Sequence, residues 1–213
     1  MALDTSTTLS DGTEIRARSV GSMDNIAYLL TPMAGRSVLI DAAADAGALT
    51  DLISSHEVAT IVTTHRHPDH WQALAELAEH TGAELSAGTP DAEAIAEGAG
   101  VSIDRTVWEG DRVTVDDLEL QVIALPGHTP GGIALVLDTG VDDPVHVFTG
   151  DCLFPGGVGK THTPEEFTTL LDGVETKLFN AYADDTVIHP GHGNPTTLGD
   201  ERGSLAEWRE RGW

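Results

Sequence analysis

Three imidazoles and a carboxylate packed into six residues, His65-Arg66-His67-Pro68-Asp69-His70, constrain this chain more than any other stretch of it. They follow an apolar run, Val58 to Val62, that reads as a buried strand. In an extended segment alternate side chains share a face, so His65 and His67 can reach one metal ion as neutral nitrogen ligands. Asp69 and His70 lie one turn further on, where a helix is expected to begin, and can reach a second ion beside the first. A lone histidine is ordinarily a surface or satisfied core residue. Three at this spacing, straight after a strand, point to metal.

The other donors fall where such a half-built site needs them. His128 lies in Pro126-Gly127-His128-Thr129-Pro130-Gly131-Gly132, Asp151 in Thr149-Gly150-Asp151-Cys152 and His192 in His189-Pro190-Gly191-His192-Gly193. Each follows an apolar strand in a glycine-rich corner, where tight turns and close approach to an ion are sterically permitted. Each alone is weak evidence. In company with the first cluster they are expected to gather at one rim of a sheet sandwich.

The rest of the pattern supplies that sandwich. Residues 13–20, 25–30 and 37–40 read as an antiparallel meander, the last strand ending at Asp41, and a helix is expected over about 46–55. After the His cluster come a helix with Trp71, Leu74, Leu77 and Ala78 on one face, a strand at 84–86 and a helix over about 90–97. A second set of strands is expected at 105–108, 112–115, 118–125, 133–137 and 145–148. Thr163-Pro164-Glu165-Glu166 is a capping box before a helical apolar stripe, a last strand falls at 186–188, and one short helix is expected in the tail from Leu198 to Trp213. Two blocks of strands, each followed by helices, argue for two sheets face to face with helices outside.

Composition bounds the function. At 213 residues and 40% hydrophobic content, one globular domain spanning residues 1–213 is expected. No apolar run reaches about 18 residues and the stretch from Met1 to Gly12 is polar, so neither a membrane span nor a secretory signal is expected, and the default compartment is the cytoplasm. The single cysteine, Cys152, excludes an internal disulfide and fits a reducing environment. Acidic residues number 35 against 11 basic ones, a formal charge of −24 that repels phosphate backbones and anionic lipid. Nucleic-acid and membrane partners are therefore disfavoured, and a small-molecule substrate is expected. The acids are spread along the chain, which reads as solubility in a salty or crowded cytoplasm. Oligomeric state is left open.

The whole set resembles the metallo-β-lactamase superfamily, whose pattern is an HxHxDH run, a later His, a bridging Asp and a final His. The resemblance covers roughly residues 13 to 195 and fills all seven ligand positions. It implies an α/β fold of four layers, the αββα sandwich, and two divalent metal ions, Zn2+ first with Fe or Mn as alternatives. His65, His67 and His128 would hold one ion, Asp69, His70 and His192 the other, and Asp151 would bridge them. Asp41 matches the superfamily's first motif, an acid at a strand end, and is read as orienting a ligand from behind. His189 is read as hydrogen-bonding behind the site, with His192 kept as the ligand.

Within the superfamily the chain looks most like the glyoxalase II-type hydrolases, through His70 and the stretch Thr149-Gly150-Asp151-Cys152-Leu153-Phe154-Pro155-Gly156-Gly157-Val158-Gly159-Lys160. Short actinobacterial proteins share its Thr197-Leu198-Gly199-Asp200-Glu201-Arg202 ending and the tail beyond it. The likeness implies a dinuclear hydrolase that cleaves a hydroxyacyl or acyl thioester by attack of a metal-bridging hydroxide, with Asp69 holding the nucleophile. Only the 21 residues Gly193–Trp213 follow the last ligand, whereas full-length glyoxalase II carries a helical domain there that helps bind glutathione. The thiol of the substrate is therefore left open. Trp71, where small residues often follow the HxHxDH run, and Lys160 are candidate substrate contacts, a solvated surface lysine being an equal reading of the latter.

Other signals have plainer readings. His56, His80, His146 and His162 lack ligand neighbours and are expected at the surface. The Phe154–Thr161 stretch is similar to a phosphate-binding loop, but Phe154 stands where its first glycine belongs, so nucleotide binding is rejected. Cys152 has no base of its own and is expected to pack. Two other classes stay open: a mono-iron persulfide dioxygenase-like oxidoreductase, which would need iron and oxygen, and a lactonase or β-lactamase-type hydrolase. A non-catalytic binding protein on the same fold would be expected to have lost ligands.

Overall fold

The computed structural model describes residues 4–140 and 142–212; Met1–Leu3, at the start of the expected polar segment, and Trp213, at the end of the expected tail, lie outside the described residues. The first sheet takes its seven strands in chain order: β1 (Asp4–Thr8), β2 (Glu14–Val20), β3 (Asn25–Thr31), β4 (Ser37–Ile40), β5 (Val58–Thr63), β6 (Glu84–Gly88) and β7 (Arg105–Val107). The strands β1 to β4 pair antiparallel through short turns. From β4 to β7 the pairing is parallel, which requires crossovers, and these are α1 (Ala46–Ile53), α2 (Leu74–Thr81) and α3 (Ala92–Ala99). The second sheet contains β8 (Arg112–Val115), β9 (Leu118–Ala124), β10 (Ile133–Leu137) and β11 (His146–Gly150). A small hairpin, β12 (Leu153–Phe154) with β13 (Gly157–Val158), precedes α4 (Pro164–Val174), and β14 (Val187–Pro190) and β15 (Thr196–Thr197) complete the second sheet in the order β15-β14-β11-β10-β9-β8. Helices α5 (Leu198–Arg202) and α6 (Leu205–Arg211) end the described chain.

The alternation of side chains along the strands sorts them into three cores. Ile26, Tyr28 and Leu30 of β3 face the second sheet and pack with Val122, Ile133, Leu135 and Phe148. Their neighbours Ala27 and Leu29 face the other way, onto Leu49 and Leu52 of α1 and Leu74 and Leu77 of α2. Ile123, Ala134, Val136 and Val147 turn outward from the second sheet onto Phe167, Leu170, Leu171 and Val174 of α4, with Trp208 of α6 beside them. Because both faces of each sheet are covered, β3, β4, β10 and β11 are buried along nearly their whole length. The result is the four-layer αββα sandwich.

Four local readings of the sequence need correction. Residues 4–8 form an edge strand although none of them is apolar. All five are exposed, and β2 recruits them through the backbone ladder, with Ser6 Oγ donating to Glu14 (2.6 Å) and Asp4 pairing with Arg18 (3.2 Å) at the surface. The tail holds two helices, broken at Gly203 and Ser204, where one was expected. The β12–β13 hairpin was not anticipated either. His146, expected at the surface, is buried in β11 with its ring stacked on His189. Elsewhere the shifts are small: the second crossover helix begins at Leu74, after a separate 3-10 turn at Pro68–His70, and the expected Pro90–Glu97 helix lies two residues later. Among the described residues no helix is long and apolar enough to cross a membrane.

Strand direction places the chemistry. The parallel pair β4 and β5 ends at one edge of the first sheet. In the second sheet β11 is parallel to β14, and β10 is antiparallel to both β9 and β11, so β9, β11 and β14 also point one way. Asp41, His65, His128, Asp151 and His192 all follow the carboxyl ends of these strands. Backbone hydrogen bonds stitch the corners together: between the sheets Ile133 N–H donates to Thr64 O (3.0 Å) and Ile26 N–H to Gly191 O (2.8 Å), and within the second sheet Gly191 N–H donates to Gly150 O (2.8 Å).

Candidate metal centre

The corner after β5 delivers the first donors. Its shape is fixed by two buried carboxylates. Asp41, at φ 59° after β4, accepts from Thr64 N–H (2.7 Å) and from the Thr64 hydroxyl (2.8 Å). Asp91 is fully buried, and its oxygens accept from Arg66 N–H (3.0 Å) and Gly131 N–H (2.9 Å), tying the HxHxDH turn to the loop that carries His128.

Each inward-facing imidazole but one has its outer nitrogen committed. Since the Thr64 hydroxyl gives its proton to Asp41, His65 Nδ1–H donates to Thr64 Oγ1 (3.1 Å). His70 Nδ1 meets Asp41 Oδ2 at 2.7 Å, His128 Nδ1–H donates to Lys160 O at 2.6 Å and His192 Nδ1–H to Met23 O at 2.9 Å. Such bonds set the ring orientation, so the Nε2 atoms of His65, His70, His128 and His192 point toward one another. His67 presents Nδ1 instead.

These atoms form two groups sharing an edge. His65 Nε2 lies 3.1 Å from His67 Nδ1, which lies 2.9 Å from His128 Nε2, and Asp151 Oδ2 closes the group at 3.9 Å from His65 and 3.5 Å from His128. In the second group Asp69 Oδ2 is 3.2 Å from His192 Nε2 and 3.7 Å from His70 Nε2, and the two ring nitrogens are 3.3 Å apart. Asp151 faces this group as well, Oδ1 at 3.3 Å from His70 and Oδ2 at 3.5 Å from His192. Bare nitrogens at such separations repel unless something positive sits between them. A tetrahedron of ~2.0 Å metal–nitrogen bonds has edges of ~3.3 Å, in the middle of the observed spread. Buried Asp151 Oδ1 has no hydrogen-bond donor, the condition of an oxygen awaiting a cation. Both groups have the chemistry and the spacing of divalent-metal ligands.

Electrostatics agrees. Burial, reinforced by the neighbouring imidazoles, pushes His65 well below the usual histidine range and also lowers His67, so both rings favour the neutral form that a cation requires. Burial would lower His70 too, but Asp41 and Asp151 on either side overcome it and raise the group to about 10. Asp151 is held well below the usual carboxylate range, burial being outweighed by His128, His192 and His70. The second group thus sits in a strongly negative potential, where proton and cation compete for the same nitrogen.

The structure brings together His65, His67, Asp69, His70, His128, Asp151 and His192, with Asp41 behind them. It does not bring the other expected contributors there. His189 Nε2 meets His146 Nδ1 at 2.8 Å and its ring stacks on Phe148, so it bonds within the inter-sheet core and not to any of the seven. Trp71 Nε1–H donates to Arg66 O (2.9 Å) and its indole packs over Gly98 of α3. Lys160 reaches His128 through its backbone oxygen while its side chain is exposed at a groove beside the site. Sequence reasoning missed Asn25 and Asp91. Asn25 donates both amide protons, to Asp69 O (3.0 Å) and Asp69 Oδ2 (2.9 Å). The one available signal was a polar residue opening an otherwise apolar strand.

The metallo-beta-lactamase superfamily matches residues 26–205 of this chain. Hydroxyacylglutathione hydrolase GloC of Haemophilus influenzae is 30% identical over 185 residues, which span 79% of this chain and 85% of that protein. A hydroxyacylglutathione hydrolase of Fuscovulum blasticum is 33% identical over 208 residues, 89% of this chain and 76% of that one. Among solved structures, TTHA1623 in a di-iron-bound form superposes with a TM-score of 0.68 at 30% identity, covering 86% of this chain and 95% of its own. With the αββα layers and the two His/Asp groups at one rim, these matches make the chain a member of the metallo-beta-lactamase superfamily, similar to the hydroxyacylglutathione hydrolases of the glyoxalase II type.

Proposed function

We propose that this chain is a dinuclear metal-dependent hydrolase of small thioesters. The observation that carries the reading is the pair of donor groups sharing Asp151, supported by relatives whose own names are those of thioester hydrolases. His65, His67 and His128 would hold one cation, Asp69, His70 and His192 the other, and Asp151 both. Zn2+ is the ion proposed, and iron and manganese suit the same imidazole and carboxylate donors. When bound, two such cations supply a water acidified to near-neutral pH as nucleophile and positive charge for the oxygen of the attacked carbonyl.

The protein's own contributions follow from its geometry. Asp69, partly buried and fixed by Asn25, is the residue that would hold the nucleophile in place. The far nitrogens of His65, His70, His128 and His192 are occupied by acceptors, so those rings cannot turn away as charge moves. A groove of about 370 Å³ beside the site is lined by His128, Asp151, Phe154, Pro155, Val158 and Lys160. Its apolar walls suit the acyl or thiol arm of a small ester, and the exposed Lys160 ammonium suits an anionic group on it. In a chain with only two lysines and a net charge of −24, that placement favours an acidic thiol.

Hydrolysis of hydroxyacyl thioesters of glutathione, mycothiol and coenzyme A by the Zn2+, iron and manganese forms tests the proposal. Release of free thiol from at least one of them, abolished by chelation, is expected. Turnover of lactones or β-lactams with no thioester cleaved, or oxygen uptake with a persulfide in its place, would overturn it.

A further inference from the structure

The second donor group is held by a strap that the first does not touch. Residues 23–26, entering β3, bind the Gly191–Gly193 corner at every step: His192 Nδ1–H donates to Met23 O (2.9 Å), Gly193 N–H to Asp24 O (3.2 Å) and Ile26 N–H to Gly191 O (2.8 Å), with a bridge pairing Asn25 and His192. From the same strap, Asn25 Nδ2 donates to the backbone and the carboxylate of Asp69, and lies 3.4 Å from His192 Nε2. Asn25 is only 2% exposed, so no water can replace those bonds cheaply. The first group is braced from elsewhere, His65 through Thr64 and His128 through the Lys160 carbonyl.

We infer that Asn25 is a positioning residue for the second cation alone: by fixing the Asp69 carboxylate beside His192 it sets the affinity of the Asp69/His70/His192 site and leaves the His65/His67/His128 site unaffected. The inference rests on the dinuclear reading above. The physical reason is that a carboxylate free to rotate must be ordered again each time it binds an ion, whereas one already held by two N–H bonds is in place. Because the amide spends both protons on Asp69, an apolar side chain of similar size cannot substitute for it.

The test is titration of the metal-free protein with Co2+ alone, followed by calorimetry and by the visible absorption of each site, for the wild type, Asn25→Ala and Asn25→Leu. The wild type is expected to take up two ions. Both variants should keep the first binding event within about two-fold and weaken the second by about 10–100-fold, the range for loss of a group that orients a ligand. Retained first-site binding reports that the variants are folded. Unchanged second-site binding overturns the inference, and so does an equal loss at both sites, which would make Asn25 a general support of the fold. A wild-type chain that takes up only one Co2+ overturns the dinuclear reading, and this inference with it.

Discussion

At the scale of single residues, the buried polar groups outside the metal centre carry their own consequence. His146 and His189 meet at 2.8 Å inside the sandwich, flanked by Phe148 and Tyr28. Burial, with His146 as neighbour, lowers His189 to about 3, against about 6.5 in an unfolded chain. The folded state therefore binds fewer protons than the unfolded one between those values, and the stability present above pH 6.5 is lost progressively as the pH falls toward 3. His189→Phe, which keeps the stacking surface, is expected to lose less of its urea midpoint than the wild type does between pH 7 and pH 5. An acid dependence as steep as the wild type's would show that His189 does not carry it. The seven donors were legible because HxHxDH is a local spacing and the others announce themselves as His or Asp in glycine corners. Asn25 and Asp91 were not, since their partners lie 44 residues away for Asn25 and 25 and 40 away for Asp91.

At the scale of elements, the site depends on how closely strand ends approach. Gly150 closes β11 at φ 49°, and a Cβ there would stand 2.5 Å from Thr64 Oγ1. That hydroxyl is the link between Asp41 and His65. Gly150→Ala is therefore expected to lower the melting temperature, by an amount corresponding to about 1–3 kcal/mol, and to weaken metal uptake through a displaced His65. Calorimetry of the metal-free and metal-loaded variant measures both, and an unchanged affinity would show that the Thr64 link is dispensable. The strands and crossover helices of the sandwich were readable from period-two and helical patterns, and the Thr163 capping box sits where the sequence placed it. The first strand was unreadable for a physical reason: Asp4–Thr8 buries no apolar side chain, holding to the sheet by its backbone and by surface polar contacts of Asp4 and Ser6, so its exposed side chains leave no period-two hydrophobic pattern.

At the scale of the whole molecule, a charge of −24 on 213 residues is the dominant long-range term. Few of these acids are neutralised by partners, because only 11 lysines and arginines exist to pair with them. Self-repulsion opposes the compact state, and salt shortens its reach from about 10 Å at 0.1 M to about 3 Å at 1 M. The melting temperature is therefore expected to rise with KCl over that range, and one that is flat or falls would show that the charges are locally compensated.

The proposed hydrolysis requires seven side chains, drawn from both sheets, to hold two cations. The direct measurement is the rate of hydroxyacyl-thioester hydrolysis by the metal-free protein as Zn2+ is returned to it, plotted against ions bound per chain. The rate should be negligible without metal and should climb to saturation at two ions. A chelated protein that hydrolyses at full rate, or a protein saturated with metal that leaves every thioester intact, would contradict it.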